Sequence, residues 1–264
     1  MNLELLDKNV LVTAASKGIG YAIAKQFAFE GAKIVICSAN EENIKTAVEK
    51  IKSICGNTNV WGTVCNLNNN DELLKLIDFT KEKFGKIDIL VNNCGGPTPG
   101  FFENLNESDW DYSYNQVLKS AMKLIKFVLP DMKENKFGRI INITSISVKQ
   151  PVDNLLLSNT FRSGLTAFAK TISNELAPHN ITVNNIAPGY TLTDRFKQLI
   201  TFRANTAGVS YDDMVVKMSS DIPMKRFANP DEIGNLAVFL ASPVAGYITG
   251  TTINADGGYT KSTY

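Results

Sequence analysis

Residues 9–20 read Asn-Val-Leu-Val-Thr-Ala-Ala-Ser-Lys-Gly-Ile-Gly, and this stretch decides the fold. Its first five residues are largely apolar or β-branched, which predicts a short buried strand. A turn containing two glycines follows, and a helical pattern runs from about residue 20 to about residue 30. Glycines let a backbone approach a ligand closely, and the N–H groups at a helix N-terminus favour a phosphate. Such a turn can also serve tight packing alone, so its place between a strand and a helix is what favours phosphate binding.

The same alternation of strand and helix continues along the chain. Apolar, β-branched runs predict strands at residues 33–37, 60–65, 87–91, 138–143, 181–186 and 251–254. Helical spacing predicts helices at residues 41–54, 71–84, 108–134 and 155–176. This alternation predicts a doubly wound α/β fold, a Rossmann-like three-layer domain with a parallel sheet between helices. We expect a single domain over residues 1–264, with ligands bound beyond the carboxyl ends of the strands.

The composition excludes several classes of protein. The 264 residues carry 27 Lys and Arg against 26 Asp and Glu, and a net charge of +1 gives no support for a nucleic-acid or anionic-membrane surface. No stretch reaches the roughly 20 apolar residues that cross a bilayer, and residues 1–8 lack the apolar run of a secretory signal. The four cysteines show no CxxC spacing, and together with the missing signal this predicts a cytoplasmic protein. The one histidine, His179, lies in a predicted surface turn, so no metal site is expected.

The residues around the second predicted strand bear on the choice of dinucleotide. An acidic residue at the end of that strand usually binds the free ribose 2′-OH of NAD, but here the chain reads Cys37-Ser-Ala-Asn40. Lys17 lies in the glycine turn, where a cation would favour a 2′-phosphate. The sequence therefore favours NADP over NAD, with NAD still possible. In the alternative interpretation, Lys17 is an ordinary solvated surface lysine.

Five short motifs, in order, resemble those of the short-chain dehydrogenase/reductase family, and the layout is close to that of the 3-oxoacyl carrier-protein reductases. They are the TGxxxGxG turn at residues 13–20 with Ala14 in place of its first glycine, NNAG at 92–95, PGxxxT at 188–193, and two C-terminal segments at 247–250 and 256–258. The resemblance implies a Rossmann-like fold and NAD(P)-dependent carbonyl or alcohol chemistry on a small-molecule substrate. It also implies a homodimer or homotetramer built through the two long central helices.

We expect the cofactor-binding residues to lie in the loops that carry these motifs. They are Thr13, Ser16, Lys17, Gly18, Ile19, Ser38, Asn66, Leu67, Asn93, Gly95, Arg162, Pro188, Gly189, Thr191 and Thr193. In the family, the loop that begins at Pro188 holds the nicotinamide carboxamide.

The catalytic residues of the family are a tyrosine acid/base, a lysine that lowers the pKa of that tyrosine, a serine that orients the carbonyl and an asparagine that relays protons. Ser145 matches the serine, but counting on from it reaches Ser158 in place of the tyrosine and Arg162 in place of the lysine. The asparagine position falls on Val117, and Asn115 lies on a different helix face. We therefore expect Ser145, Ser158 and Arg162 to be the catalytic candidates. Ser158 lacks the acidity and reach of a phenol, and a guanidinium keeps a positive charge but is a poor proton donor.

Other side chains could replace the missing acid, although a structural role is the more common one for each. Tyr190 follows the Pro188-Gly189 pair, Tyr112 and Tyr114 lie on a long helix where packing is expected, and Lys149 could point toward the pocket.

Residues 194–226 form a longer and less regular region rich in Met and aromatic residues. We expect it to be a lid over a small, apolar substrate, because such segments line apolar pockets when they are not simply packing. The favoured function is thus NADP-preferring reduction of a carbonyl or oxidation of an alcohol. One alternative is a catalytically impaired nucleotide-binding homologue that acts as a binding or assembly partner. Another is an enzyme whose unusual substrate supplies its own proton.

Overall fold

The computed structural model describes residues 2–263 and contains one parallel sheet. Its strands are β1 Asn9–Val12, β2 Lys33–Ser38, β3 Val60–Val64, β4 Ile89–Asn92, β5 Gly138–Ile143, β6 Ile181–Pro188 and β7 Thr252–Ala255. The seven strands stand in the order β3-β2-β1-β4-β5-β6-β7, and every neighbouring pair is parallel. The order reverses between β1 and β4, which is where a doubly wound sheet opens a crevice for ligands. The predicted fold class is confirmed.

Helices cover both faces of this sheet. They are α1 Gly18–Phe29, α2 Glu41–Cys55, α3 Asn70–Phe84, α4 Glu107–Ser113, α5 Ser120–Glu134, α6 Leu156–Leu176, α7 Asp194–Ala207, α8 Tyr211–Ser219 and α9 Pro230–Ala241. Val10 and Val12 of β1 pack with α1, α2 and α9, whereas Leu11 packs with α3, α5 and α6. Side chains alternate across a strand, and both faces of β1 are apolar and fully buried. The core therefore has two apolar layers with the sheet between them.

The long helix predicted at residues 108–134 is interrupted by a wider turn. A π-helical segment, Tyr114–Lys119, separates α4 from α5. A π-turn adds a residue to the helix and changes which side chains face inward after it. Counting along an ideal helix is therefore unreliable at this point.

Two features of the C-terminal third differ from the prediction. The expectation of a less regular region at 194–226 is wrong, because most of it forms α7 and α8. Thr193 and Ser210 cap these helices, and Gly208 ends α7 with a φ of +66°, a value that suits glycine. Helix α9 was not predicted, although Asn229 before Pro230 is an N-terminal signal visible in the sequence.

No helix within residues 2–263 is long and apolar enough to cross a membrane. The four cysteines all carry free thiols, with Cys37 and Cys65 buried.

Candidate active site

Two side chains join the first glycine turn to the loop after β4. Thr13 Oγ1 donates a hydrogen bond to the carbonyl oxygen of Asn93 at 2.6 Å. Asn93 Nδ2 donates in return to the carbonyl oxygens of Thr13 and Ala14, at 3.2 and 3.0 Å. These contacts bring two predicted cofactor-binding residues, Thr13 and Asn93, together at the carboxyl edge of the sheet.

A ladder of buried amides links four neighbouring strands. Asn92 Nδ2 donates to Asn142 Oδ1 at 2.9 Å, and Asn142 Nδ2 donates to Asn185 Oδ1 at 2.9 Å. Asn185 Nδ2 then donates to Thr252 Oγ1 at 3.1 Å. Because each amide satisfies the next, the ladder joins the carboxyl ends of β4 and β5 to the middle of β6 and the start of β7.

The glycine turn fits a phosphate group. A Cβ at Gly20 would lie 2.5 Å from the carbonyl oxygen of Ala14, so only glycine permits this close packing of the turn on the helix. Gly18 has a φ of +59°, which also favours glycine. Lys17 occupies the N-cap of α1 and makes no side-chain capping hydrogen bond. The first N–H groups of α1 therefore remain available to an anion.

Ala14 stands in this turn with a φ of +46°, a conformation that costs an L-residue roughly 1–2 kcal/mol. Replacing Ala14 with glycine should therefore raise the free energy of unfolding by roughly 0.5–1 kcal/mol, since part of the gain is lost to the freer unfolded chain. We expect the thermal midpoint in calorimetry to rise by roughly 1–4 °C. The control is Ala15→Gly at the fully buried neighbour, which should destabilise the fold. A lower midpoint for both variants would contradict the argument.

The end of β2 places a hydroxyl pair near the same turn. Ser16 Oγ donates to Ser38 Oγ at 2.9 Å. Lys17 is exposed, and none of the carboxylates in the described part of the chain lies within 4 Å of its ammonium. Asn66 donates its main-chain N–H to Glu72 at 2.7 Å, and Leu67 is 8% exposed in the core. A cofactor role for Asn66 and Leu67 stays a prediction.

The loop after β6 closes the other side of the site. A Cβ at Gly189 would lie 2.8 Å from Cα of Asp256, and a Cβ at Gly18 would lie 3.2 Å from Cγ2 of Thr193. Thr191 Oγ1 donates to the carbonyl oxygen of Gly189 at 3.0 Å. The start of α7 therefore lies directly against the glycine turn.

Ser145 and Ser158 lie on either side of a serine that sequence reasoning did not select. Ser145 Oγ accepts a hydrogen bond from the main-chain N–H of Ser147 at 3.1 Å. Ser147 is buried, and its Oγ lies 3.5 Å from Oγ of Ser158. Ser158 is itself 7% exposed. The hydroxyl of Ser158, predicted to stand at the tyrosine position, thus contacts the loop of Ser145. The spacing of Ser145 and Ser147 was the only sequence signal for this contact.

Arg162 extends from α6 to the end of β5. Its Nη1 donates to the carbonyl oxygens of Ile143 and Thr144, at 2.8 and 3.0 Å, and its Nη2 lies 3.9 Å from Sγ of Cys94. The residue is 7% exposed, and no carboxylate among residues 2–263 lies within 4 Å of the guanidinium. A buried positive charge is therefore held one residue from Ser145.

Gln116 is a second residue that sequence reasoning missed. Val117 is buried, and Asn115 donates to the carbonyl oxygen of Asp111 on its own helix. Oε1 of Gln116 is buried and has no hydrogen-bond partner in the described residues, and its Nε2 lies 3.3 Å from where a Cβ at Gly95 would be. The π-turn therefore places an amide of Gln116, and not of Asn115, against the loop at 92–95.

Tyr190, one of the alternative acids, packs among aromatic rings beside the cavity. Tyr190 stacks on Phe196 with ring centroids 5.8 Å apart, and it meets Tyr259 edge-on at 5.4 Å. Burial, followed by a hydrogen bond to Tyr259, raises the pKa of Tyr190 to about 12. Tyr190 is therefore a weaker acid than a free phenol.

The remaining candidates are Tyr112, Tyr114, Lys149 and His179. Tyr112 is 47% exposed, so the expectation that it packs in this chain is wrong. The ring of Tyr114 lies 6.0 Å from that of Phe161. Lys149 is absent from the lining of the large cavity, as are Ser145, Ser158 and Arg162, and His179 precedes β6 at the opposite edge of the sheet.

A cavity of about 960 Å³ lies between the segment at 150–155, the loop at 189–193 and α7. Most of its lining is apolar, and the charged residues in it are Asp153, Arg195 and Arg203. The apolar residues are Ile19, Pro99, Pro151, Val152, Leu155, Phe196, Leu199 and Met218. Its volume falls within the range of small-molecule sites.

Comparison with known proteins gives matches over nearly the whole chain. A family model described as enoyl-(acyl carrier protein) reductase matches residues 13–260. The chain is 36% identical to the NADPH-dependent reductase BacG of Bacillus subtilis over 255 residues, 97% of this chain and 98% of that protein. It is 34% identical to the 3-oxoacyl-[acyl-carrier-protein] reductase FabG of Staphylococcus epidermidis, over 96% of this chain and 99% of that protein. The structure of L-sorbose reductase from Gluconobacter frateurii, complexed with NADPH and L-sorbose, superposes with a TM-score of 0.95 at 29% identity, covering 99% of this chain and 100% of that one.

Proposed function

Because the chain belongs to the short-chain dehydrogenase/reductase family, we propose that it uses NADPH to reduce a carbonyl on a small, largely apolar substrate. In the reverse direction it would oxidise the matching alcohol. One observation carries the proposal: Ser145 and the buried cation Arg162 lie together at the end of β5. The segment after them, at 150–155, lines the apolar cavity.

The residues of the glycine turn fit the cofactor. The uncapped start of α1 would bind the pyrophosphate, and Lys17 with Ser38 would face the ribose that carries the 2′-phosphate. BacG is named as an NADPH-dependent reductase, and the sorbose reductase structure contains NADPH, which supports the same choice here. When bound, the nicotinamide supplies the hydride.

The side chains at the end of β5 then act on the carbonyl oxygen. Ser145 donates a hydrogen bond to that oxygen, and the charge of Arg162 stabilises the negative charge that develops on it. Ser158 acts as a positioning residue through its contact with Ser147. The proton that completes the alcohol comes from water in the cavity, because an aliphatic hydroxyl such as that of Ser158 is a poor acid and the ring of Tyr190 is packed against Phe196 and Tyr259.

Turnover with a panel of substrates tests this proposal. Purified protein is mixed with NADPH and ketones, sugars, steroids or 3-oxoacyl thioesters, and the loss of nicotinamide absorbance is followed. We expect oxidation of NADPH with at least one apolar ketone. Tight NADPH binding without turnover across the panel would instead favour the binding or assembly partner, an alternative that relatives named as reductases do not favour.

The choice of cofactor gives a separate prediction. Lys17→Ala should weaken NADPH binding about tenfold, because one charge-assisted contact to the 2′-phosphate is lost, and should leave NADH binding within about twofold. Fluorescence titration of both cofactors measures this. Lys45→Ala, an exposed lysine on α2, is the control. Equal losses for NADPH and NADH would show that Lys17 does not contact the phosphate.

Three further features stay proposals. We infer a homodimer or homotetramer, supported by exposed aromatic side chains on and beside α4, Phe102 at 73% and Tyr112 at 47%. We infer a lid over residues 194–226, supported by the part of α7 that lines the cavity. We infer a cytoplasmic location, supported by four free cysteines.

A further inference from the structure

We propose that the substrate carries a carboxylate, which Arg195 and Arg203 of α7 bind on the lid side of the cavity. The inference rests on the proposed function, because it names the chemical class of the compound reduced at that site.

The helix geometry presents both arginines to the cavity. Arg195, Leu199 and Arg203 are spaced four residues apart, which places them along one face of α7, and all three line the cavity. Eight residues span roughly 12 Å along a helix. The two arginine side chains therefore start on either side of Leu199, and both reach the cavity.

Neither arginine is paired with an acid. Within residues 2–263 no carboxylate lies within 4 Å of either guanidinium. By contrast, Lys197 on the same helix pairs with Asp194 at 3.8 Å, and Arg226 pairs with Glu232 at 2.7 Å.

The contacts that Arg203 does make are weak. Its Nη1 lies 3.9 Å from Sδ of Met218, a poor acceptor. The N–H donors of Arg195 and Arg203 are thus available to a ligand. Lys197 and Arg226, in contrast, are already paired with carboxylates.

The charge balance of the cavity fits a single negative charge. Asp153 is the acidic residue that lines the same cavity, from the facing segment at 150–155. Two arginines and one aspartate leave one positive charge uncompensated, which matches a carboxylate better than a doubly charged phosphate. A guanidinium also matches the two oxygens of a carboxylate in shape.

The apolar lining defines the rest of the substrate. Pro151, Val152 and Leu155 line the cavity together with Phe196 and Leu199 of α7. We therefore infer an oxo acid with an apolar body, whose carboxylate reaches α7 while its carbonyl reaches Ser145. No bond to the carboxylate forms or breaks in the reaction, so the arginines act in binding.

Matched acid and ester pairs test the inference. The probes are 2-oxo-4-phenylbutanoate and 4-oxo-4-phenylbutanoate, each with its ethyl ester. Wild-type protein should reduce the acids with a kcat/KM at least about tenfold above that of the esters. In the double variant Arg195→Gln/Arg203→Gln this preference should fall to within about twofold, through a higher KM for the acids with kcat nearly unchanged. Lys197→Gln, on the same helix but outside the cavity lining, should keep the preference.

Each outcome separates this inference from the proposed function. Equal reduction of acids and esters would overturn the inference and leave the oxidoreductase proposal standing. Weaker NADPH binding in the double variant, with the acid preference intact, would also overturn it, because the arginines would then bind the cofactor.

If no probe oxidises NADPH, calorimetry decides the inference independently of turnover. Wild-type protein loaded with NADPH is titrated with 4-phenylbutanoate and with 4-phenylbutanamide. An acid preference of about tenfold that the double variant loses supports the inference even though the proposed function has failed for these compounds. Equal binding, or no binding of either compound, overturns it.

Discussion

Replacing Ser145 with alanine should lower kcat/KM for carbonyl reduction by roughly 100-fold or more, because the substrate oxygen loses its hydrogen-bond donor as negative charge develops on it. The dissociation constant for NADPH should stay within about twofold, since Ser145 is placed at the substrate oxygen and not at the pyrophosphate. Arg162 would still hold its charge beside the site through Ile143 and Thr144. Stopped-flow reduction of the best ketone at saturating NADPH measures the effect.

The Ser145 hydroxyl also caps the short 3₁₀ turn at Ile146–Val148, so the variant should lose about 1 kcal/mol of stability as well. Asn229→Ala is the matched control, because it removes a side-chain cap from α9 without touching the end of β5. It should destabilise the protein by a similar amount and keep its activity. Full activity in Ser145→Ala would show that another group orients the carbonyl.

Replacing Gly20 with alanine should weaken NADPH binding by roughly 10- to 100-fold. The added methyl would lie 2.5 Å from the carbonyl oxygen of Ala14 and 2.9 Å from Cα of Ala15, both main-chain atoms that cannot rotate away. Overpacking of this kind typically costs about 1–3 kcal/mol, and the turn that must move is the one that would hold the pyrophosphate. Titration with NADPH and thermal denaturation with and without NADPH measure the effect.

Gly96→Ala is the control for that change. Gly96 lies just beyond the loop at 92–95, and a Cβ there would meet nothing within 4 Å. It should leave both the NADPH affinity and the thermal midpoint close to those of the wild type. Unchanged NADPH binding in Gly20→Ala, with the fold intact, would place the cofactor elsewhere.

The fold could be predicted because its signals are local. Buried strands such as β5 and helices such as α2 have their own apolar periods, and both were predicted to within one residue at each end. The glycine turn is likewise recognisable from its glycines between a strand and a helix. The structure gives the reason for Gly20, since a Cβ there would clash with the carbonyl oxygen of Ala14. Helix α9 was missed even though its capping residues are present in the sequence.

The sequence by itself also predicts, from the spacing after Ser145, that Ser158 and Arg162 stand where the family has its tyrosine and lysine. What these residues do instead depends on contacts between distant segments. Arg162 reaches carbonyl oxygens on β5, and Ser158 meets Ser147 across eleven residues of chain.

Only the tertiary structure decided which other side chains enter the site. The π-turn, and not the sequence period, brings Gln116 against the loop at 92–95. The packing of α7 turns Arg195 and Arg203 toward the cavity, whereas Lys197 pairs with Asp194 at 3.8 Å. The physical reason is that helical periodicity gives the relative directions of side chains on one helix, but which direction faces a cavity depends on how that helix packs against the rest of the chain.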